Sequence, residues 1–407
     1  MALAELDANE RRILVLTSAA HFLTHFFVLV FPALVMPISR DLALDPAQVI
    51  PLSFPMYLLY GILAIPWGYL SDRFGARWMM GAGLLVAGSG FAGNSKMGTS
   101  GANELRIPIG ARSTSMAGAV VADVSGTEAL FWNPAGAASA QGTETYVSYR
   151  SYIADTYLTY FGVVSSFGYG TVGVHAKILS LGDLYVTTED AWDGTGEVYS
   201  INIPVLGLSY AKELTDRVSV GGTAMYVSEE IKNTSAKGLA FDFGFQYVPG
   251  WKTIRLGMAM KNYGPRLKYS GPGFEHTTGV PGDDPEASNR VLSLGSAGFE
   301  LPSYFQLGLS YDFDLAENGM LRVGTDFQSN NFSQDEYRLG AEYLLQEKFH
   351  FRSGYVYCDQ DDYLYGATLG VGVDFNLGQT KAAVNYSYNF ISDYFDDLSE
   401  VSLSFGF

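Results

Sequence analysis

The residues of this chain that could do chemistry are few and mostly isolated. His21 and His25 are four apart, so on a helix they share a face; there they could relay protons or stand as a vestigial pore-facing pair. His175, His276 and His350 have no partner at a ligand spacing. Cys358 is the single cysteine, which excludes an internal disulfide and any cysteine-based zinc site. Asp359, Asp361 and Asp362, and Asp396 with Asp397, could hold calcium. Neither group has the central glycine or terminal glutamate of an EF-hand, so both read as solvated loop tips. There is no Gly-x-Ser-x-Gly elbow and no phosphate-binding loop. The expectation is a non-enzyme with no catalytic residue, no metal site and no cofactor.

The polar residues that remain sit in a period-2 pattern. From Thr143 to Phe407 the chain is a series of segments in which apolar and polar residues alternate. Val401, Leu403, Phe405 and Phe407 point one way and Ser402, Ser404 and Gly406 the other. Phe241, Phe243, Phe245 and Tyr247 oppose Asp242, Gly244 and Gln246; Val384, Tyr386, Tyr388 and Phe390 oppose Asn385, Ser387 and Asn389. Such strands suit a barrel with lipid outside and a polar lumen. Phe405 and Phe407 form a barrel-type C-terminal signature. Candidate strands fall near 143–152, 155–166, 169–182, 196–212, 216–231, 237–248, 252–263, 303–315, 319–328, 334–345, 348–358, 363–377, 379–391 and 396–407. That count of fourteen is even, as bacterial barrels require. The segment 291–301 is one more strand or a loop returning to the wall. Short connections such as Glu317-Asn318-Gly319 and Asn376-Leu377-Gly378 belong at the periplasmic end and longer loops outside. The longest irregular stretch, 263–290, and Asp183–Thr195 are where a partner is expected. Arg322, Asp326, Arg338, Glu342 and Arg352 alternate with Val323, Leu339 and Phe351, which places them in the lumen. With both signs mixed, they either brace the barrel or line a polar conduit.

Composition agrees. Only 16% of residues are charged while 14% are aromatic, a mix that suits interfacial aromatic girdles. A net charge of -17 argues against a nucleic-acid partner. The charge is uneven: residues 1–92 carry five Lys/Arg and six Asp/Glu, leaving 20 and 36 for the rest.

Residues 1–92 read as a different kind of protein. Apolar runs over about 13–36 and 49–70 are long enough to span a bilayer, and a third starts near Trp78. Arg11 and Arg12 before the first, and Arg73 and Arg77 after the second, put both flanks on the cytoplasmic side. The joining segment, with Gly68, Asp72, Arg73, Gly75 and Arg77, resembles the loop between the second and third helices of major facilitator superfamily transporters. A transporter of that kind needs two six-helix halves, and the pattern stops inside the third helix. The run from Met79 to Ala92 also reads as a secretory signal core, with Gly90 and Ala92 at the -3 and -1 positions. The expectation is a transporter fragment fused to a barrel, natively or through an error in the gene sequence.

Residues 93–142 form the entrance to the barrel. Gly110, Arg112, Met116, Gly118 and Asp123 precede Trp132-Asn133-Pro134-Ala135-Gly136. This arrangement resembles the start of the PorV/PorQ family of outer-membrane proteins, relatives of FadL-type fatty-acid channels. Ala117 stands where that family has the first of two glycines, a change that costs little if the backbone is helical. Only Asp123 remains of its paired aspartates, which leaves a metal or switch role in that turn doubtful. Asn133 can close an Asx turn, Gly136 permits a positive φ, and Trp132 anchors the segment to the wall. Small residues (Ala135, Ala137, Ala138, Ala140) let it fold in a narrow lumen. The segment is a movable plug or a fixed corner.

The expected fold is thus a 14-stranded antiparallel transmembrane β-barrel over 143–407 with a hatch over 93–142, preceded by two to three transmembrane α-helices. The resemblance implies an outer-membrane location in a Gram-negative bacterium, contact with lipid and lipopolysaccharide, and insertion by the barrel-assembly machinery. It further implies service to type IX secretion through secreted cargo or secretion-system components. Two other readings stand beside it: a FadL-like channel for hydrophobic small molecules, which needs an apolar lumen pocket and a lateral gap, and a partial major facilitator transporter.

Overall fold

The computed structural model describes residues 96–278, 290–316, 319–360, 363–391 and 395–407. The expected helical spans, the signal-like run and the loop residues Gly68, Asp72, Arg73, Gly75 and Arg77 lie outside the described residues. Among the described residues no helix is long and apolar enough to cross a membrane.

The hatch contains a 3-10 turn at Asn103–Arg106, α1 (Ala111–Ser115), α2 (Ala129–Trp132) and a second 3-10 turn at Pro134–Ser139. Seven wall strands follow: β1 (Thr143–Ser151), β2 (Tyr157–Phe167), β3 (Gly170–Tyr185), β4 (Val198–Thr215), β5 (Val218–Ile231), β6 (Thr234–Tyr247) and β7 (Arg255–Tyr263). The next connection holds β8 (Leu267–Lys268), β9 (Glu275–Thr278), β10 (Arg290–Ser293) and β11 (Gly298–Phe299). Seven more wall strands complete the chain: β12 (Tyr304–Ala316), β13 (Gly319–Asn330), β14 (Glu336–Leu345), β15 (Phe349–Cys358), β16 (Tyr365–Leu377), β17 (Thr380–Ile391) and β18 (Leu398–Gly406). The wall is a closed antiparallel barrel of fourteen strands, in which β7 pairs with β12 and β18 closes on β1 from Glu144↔Gly406 to Arg150↔Glu400.

Strand parity makes the wall. Phe161, Leu208, Phe243, Leu339, Phe351 and Val401 are exposed on the outside. Arg150, Lys177, Gln306, Glu342, Glu400 and Ser402 are buried on the inside. An apolar exterior around a polar interior, with the strands joined into a ring, is what a bilayer demands of strands. One end has short turns, such as Phe167 to Gly170, Thr215 to Val218 and Leu377 to Thr380. Gly378 sits at φ +65° in the last of these. Residues 317–318 of the expected Glu317-Asn318-Gly319 turn lie outside the described residues. The other end carries the connections 185–198 and 263–304. Thr143 and Phe407 meet at the short-turn end, where Phe407 N–H donates to the Thr143 carbonyl at 2.8 Å.

One expectation about the long connection needs correction: its described part, 263–278, is not patternless, because β8 and β9 lie there. Of the two readings of 291–301, the loop stands and a further wall strand does not: β10 pairs with β9 and β11 with β8, in two small sheets of their own. The reason is that β12 is already paired on both sides, with β7 and β13.

The β4–β5 ladder runs only from Val205↔Val227 to Thr215↔Val218. Val198–Pro204 of β4 continue beyond it toward the long-loop end, paired on their other side with β3. Pro204 has no N–H to give to β5, a local reason for the ladder to stop there. An apolar cluster lies behind this opening, with Ala102 and Leu105 of the hatch packed against Val205, Met225, Val227 and Ala236.

Candidate functional site

The hatch is seated by glycines of the wall. A Cβ on Gly257 would lie 2.2 Å from the Val121 carbonyl oxygen, and one on Gly324 would lie 2.3 Å from that of Ala119. Gly340 and Gly354 approach the backbone of Met116 in the same way, and Gly221 that of Pro134. The hatch backbone therefore lies directly on the sheet, with no side-chain layer between. Val120 and Val121 N–H each donate to the Asp326 carboxylate at 3.1 Å.

The hatch residues expected from the motif occupy distinct contacts. Gly110 N–H donates to Glu400 at 2.6 Å. Met116 is fully buried. Trp132 Nε1–H donates to the Ile109 carbonyl at 2.8 Å, and its ring lies under the Arg338 guanidinium, so it ties hatch to hatch and hatch to wall. Asn133 Oδ1 accepts from Ala135 N–H at 3.2 Å, the expected Asx turn, while its amide donates to the carbonyls of Val121 and Phe245. Pro134 follows it as the first residue of the 3-10 turn.

Two backbone expectations fail. Ala117 is not helical but has φ +56°, next to Gly118 at φ +75°. The left-handed conformation costs an alanine roughly 1–2 kcal/mol, and the chain must reverse here because Met116 and Ala119 both face glycines of the wall. Gly136 is not at positive φ; it is needed because a Cβ would lie 2.0 Å from the Val124 carbonyl oxygen.

Below the hatch, toward the short-turn end, lies a lattice of ion pairs. Arg112 contacts Asp123 at 2.9 Å and Glu342 at 3.5 Å. Arg322 reaches Asp123, Glu342 and Asp312 at 3.3, 3.3 and 2.8 Å. Arg255 adds a forked pair with Asp312, and Arg352 and His350 bind Glu342 at 2.6 and 3.1 Å. Asp123, the lone aspartate of its turn, is thus the hatch carboxylate shared by two guanidiniums. Burial opposes the charge on Arg112, but Glu342, Asp123 and Glu128 outweigh it and hold its pKa above the ordinary value.

Above the hatch, toward the long-loop end, is a cavity of about 370 Å³. Phe131 and Trp132 of the hatch line it, with Tyr152, Tyr304, Tyr363 and Tyr365 from the wall and its loops. Its charged lining is Arg106, Arg150, Arg338 and Glu336. Phe131 is held between two ammonium groups, with Lys177 Nζ at 4.5 Å and Lys261 Nζ at 5.0 Å from its ring centre. Lys261 also pairs with Asp242 and with the Phe131 carbonyl. Lys177 donates to the Ile107 carbonyl at 2.6 Å. Asn103, Arg106 and Ile107 face this cavity, whereas Ala102 and Leu105 face the β4–β5 opening, so one short segment separates the two. Glu104 in that segment is buried; burial and then the neighbouring Glu229 carboxylate push it up to about 8.

Of the five lumen residues expected together, Arg322, Glu342 and Arg352 join the lattice. Asp326 instead binds hatch N–H groups, and Arg338 belongs to the cavity. Arg150, Glu336, Glu400, Lys177, Lys261, Glu128 and Asp312 were not singled out in the sequence. For the strand residues among them the available signal is parity: each is a charged residue on the inward beat of its strand. Glu128 and Glu104 carry no such signal. Phe405 pairs with Thr145 and Ala382 near the end of β18, and Phe407 is exposed beyond it. Among the described residues no group of three His, Cys, Asp or Glu could hold a metal ion.

A family model described as Major Facilitator Superfamily matches residues 14–103. No curated protein matches. Among solved structures, the chain is similar to the "CymD monoaromatic hydrocarbon channel" at 14% identity and TM-score 0.47, covering 74% of this chain and 97% of that one. It is also similar to the Pseudomonas putida toluene transporter TodX, at 15% identity and TM-score 0.46 over 73% and 97% of the two chains. A Pseudomonas aeruginosa FadL homologue is similar at 14% identity and TM-score 0.43, over 72% and 96%.

Proposed function

We propose that this chain is an outer-membrane channel for hydrophobic small molecules and not an enzyme. The observation that carries the reading is the aromatic-lined cavity between the hatch and the long-loop end. A concave site with aromatic walls and a few placed polar groups is where a small molecule is held. The stretch of β4 without a ladder on its β5 side, with apolar side chains behind it, supplies the second thing such a channel needs, a place where solute can leave sideways into the bilayer. The ion-pair lattice below the hatch favours that route over straight passage, because solute moving straight through would have to break it. The lipid-facing wall is then in contact with lipid and lipopolysaccharide, its insertion served by the barrel-assembly machinery.

Deleting the gene tests this directly. Uptake of sparingly soluble compounds should fall while secreted and surface-attached proteins stay unchanged. Normal uptake with lost surface proteins would sink the channel and favour the second reading, PorV/PorQ-type service to type IX secretion. That alternative draws on the Trp132–Gly136 motif and on the exposed Tyr185 and Trp192 at the long-loop end, where a cargo protein would dock.

A further inference from the structure

We propose that the cavity above the hatch binds small aromatic monocarboxylates, with Arg338 as the group that receives the carboxylate. The inference rests on the channel reading and narrows its ligand. It begins from charge. In a chain of net charge -17, the cavity is lined, among the described residues, by three guanidiniums, Arg106, Arg150 and Arg338, and by one carboxylate, Glu336. Glu400 lies behind the lining and pairs with Arg150 at 3.3 Å. Counting both carboxylates still leaves one positive charge over, which a single carboxylate neutralises and a dianion would exceed.

The geometry of Arg338 makes it the receiving group. Its Nη2 binds Glu336 at 2.5 Å, its Nη1 has only the Ala117 carbonyl at 3.5 Å and is the end left for a ligand, and its Nε is buried without a partner. A guanidinium has five N–H donors, so most of this one's capacity is unused although its side chain is only 13% exposed. Trp132 below, at 5.8 Å, and Glu336 beside it hold the plane in place. Glu336 cannot take up the remaining donors, because Arg106, Gln328 and Asn330 already bond it at 3.0, 3.4 and 3.2 Å. A fixed guanidinium with free donors is suited to a planar carboxylate. Phe131, Trp132 and four tyrosines share the lining with neutral polar and aliphatic residues such as Gln328, Asn389 and Val356, and tyrosine rings accept another ring by offset or edge contact. A volume near 370 Å³ is at the low end of small-molecule sites, about 300–1,000 Å³, so the fit is to a one- or two-ring acid.

The test is calorimetric titration of the full-length protein in detergent with 3-phenylpropionate, its primary amide and ethylbenzene, at a pH where the acid is ionised. The acid should bind about tenfold more tightly than the amide, and Arg338→Gln should remove that difference while leaving amide binding within about twofold. Arg106→Gln, at the more exposed edge, should narrow the difference less. Equal affinity of acid and amide in the unsubstituted protein, a comparison that needs no variant to fold, would overturn the inference. So would a preference that survives Arg338→Gln. If amide and hydrocarbon bind as well as the acid, the anion inference fails and the channel reading stands. If none of the three binds, both fail together.

Discussion

Arg322 and Arg338 both point into the lumen from neighbouring strands, and they differ in what is left over. Arg322, toward the short-turn end, gives Nε and Nη2 to Asp312 and Nη1 to Asp123 and Glu342. Arg338, on the other side of the hatch, keeps Nε without a partner and Nη1 nearly so. Below the hatch each carboxylate joins several cations, so charge there holds the hatch to the wall. Above the hatch Arg338 keeps donors without partners and tyrosines line the space beside it, so charge there is left for a ligand. The choice between bracing and conduit that strand parity leaves open has two answers, one for each end of the same lumen.

If that division is right, the heaviest loss on substitution lies below the hatch. Glu342 is the centre of the lattice, touched by Arg112, Arg322, Arg352 and His350. Glu342→Gln leaves buried Arg352 without its counter-charge, removes one from each of Arg112 and Arg322, and should cost about 3–5 kcal/mol, read from the urea midpoint of the barrel refolded in lipid. Arg338→Gln should cost clearly less, because Glu336 keeps Arg106, Gln328 and Asn330. Equal losses for the two variants would erase the contrast between the ends.

A smaller effect tests whether the hatch is fixed. Gly257→Ala drives a methyl into the backbone of Val121 and Ala122, both on the hatch, and should cost about 1–3 kcal/mol with faster proteolysis of the hatch. Gly222→Ala is the control: its methyl would meet only the Asp242 carbonyl oxygen at 3.5 Å and Phe243 at 3.9 Å, ordinary contacts. A hatch that swings free as a plug would tolerate both substitutions alike.

How far the sequence reaches can be seen at single residues. Fourteen strands were legible because their outer face must be apolar along its whole length, so Val401 against Ser402 fixes parity without any knowledge of neighbours. The hatch was legible as an element through Trp132-Asn133-Pro134, whose turn chemistry is local. Its seating was not. Ala117 at φ +56° and the close contact at Gly136 are imposed by where the wall glycines stand, and those lie on strands far along the chain. For the same reason parity placed both Arg322 and Arg338 in the lumen yet could not separate their roles. Which carboxylates share a level of the barrel depends on stagger between strands, and on Asp123 and Ala117 arriving from the hatch.

The finest prediction concerns the segment that divides the cavity from the β4–β5 opening. Glu104 is buried there beside Glu229, with Lys177 as the nearby cation that partly offsets the pair, and its Oε1 has no partner. Its pKa when seated, about 8, lies above the ordinary 4.5, so the seated segment holds the neutral acid. Seating is therefore fully favoured below about 4.5, weakens as pH rises, and is weakest once pH has passed about 8. A fluorophore on Ser100 should show rising local mobility across that window in the unsubstituted chain. Glu104→Gln, which keeps the neutral shape, should show a flat profile. A profile in Glu104→Gln that still rises, or mobility that falls as pH increases, would remove Glu104 from control of this segment and leave the two ends of the lumen distinguished by the arginines alone.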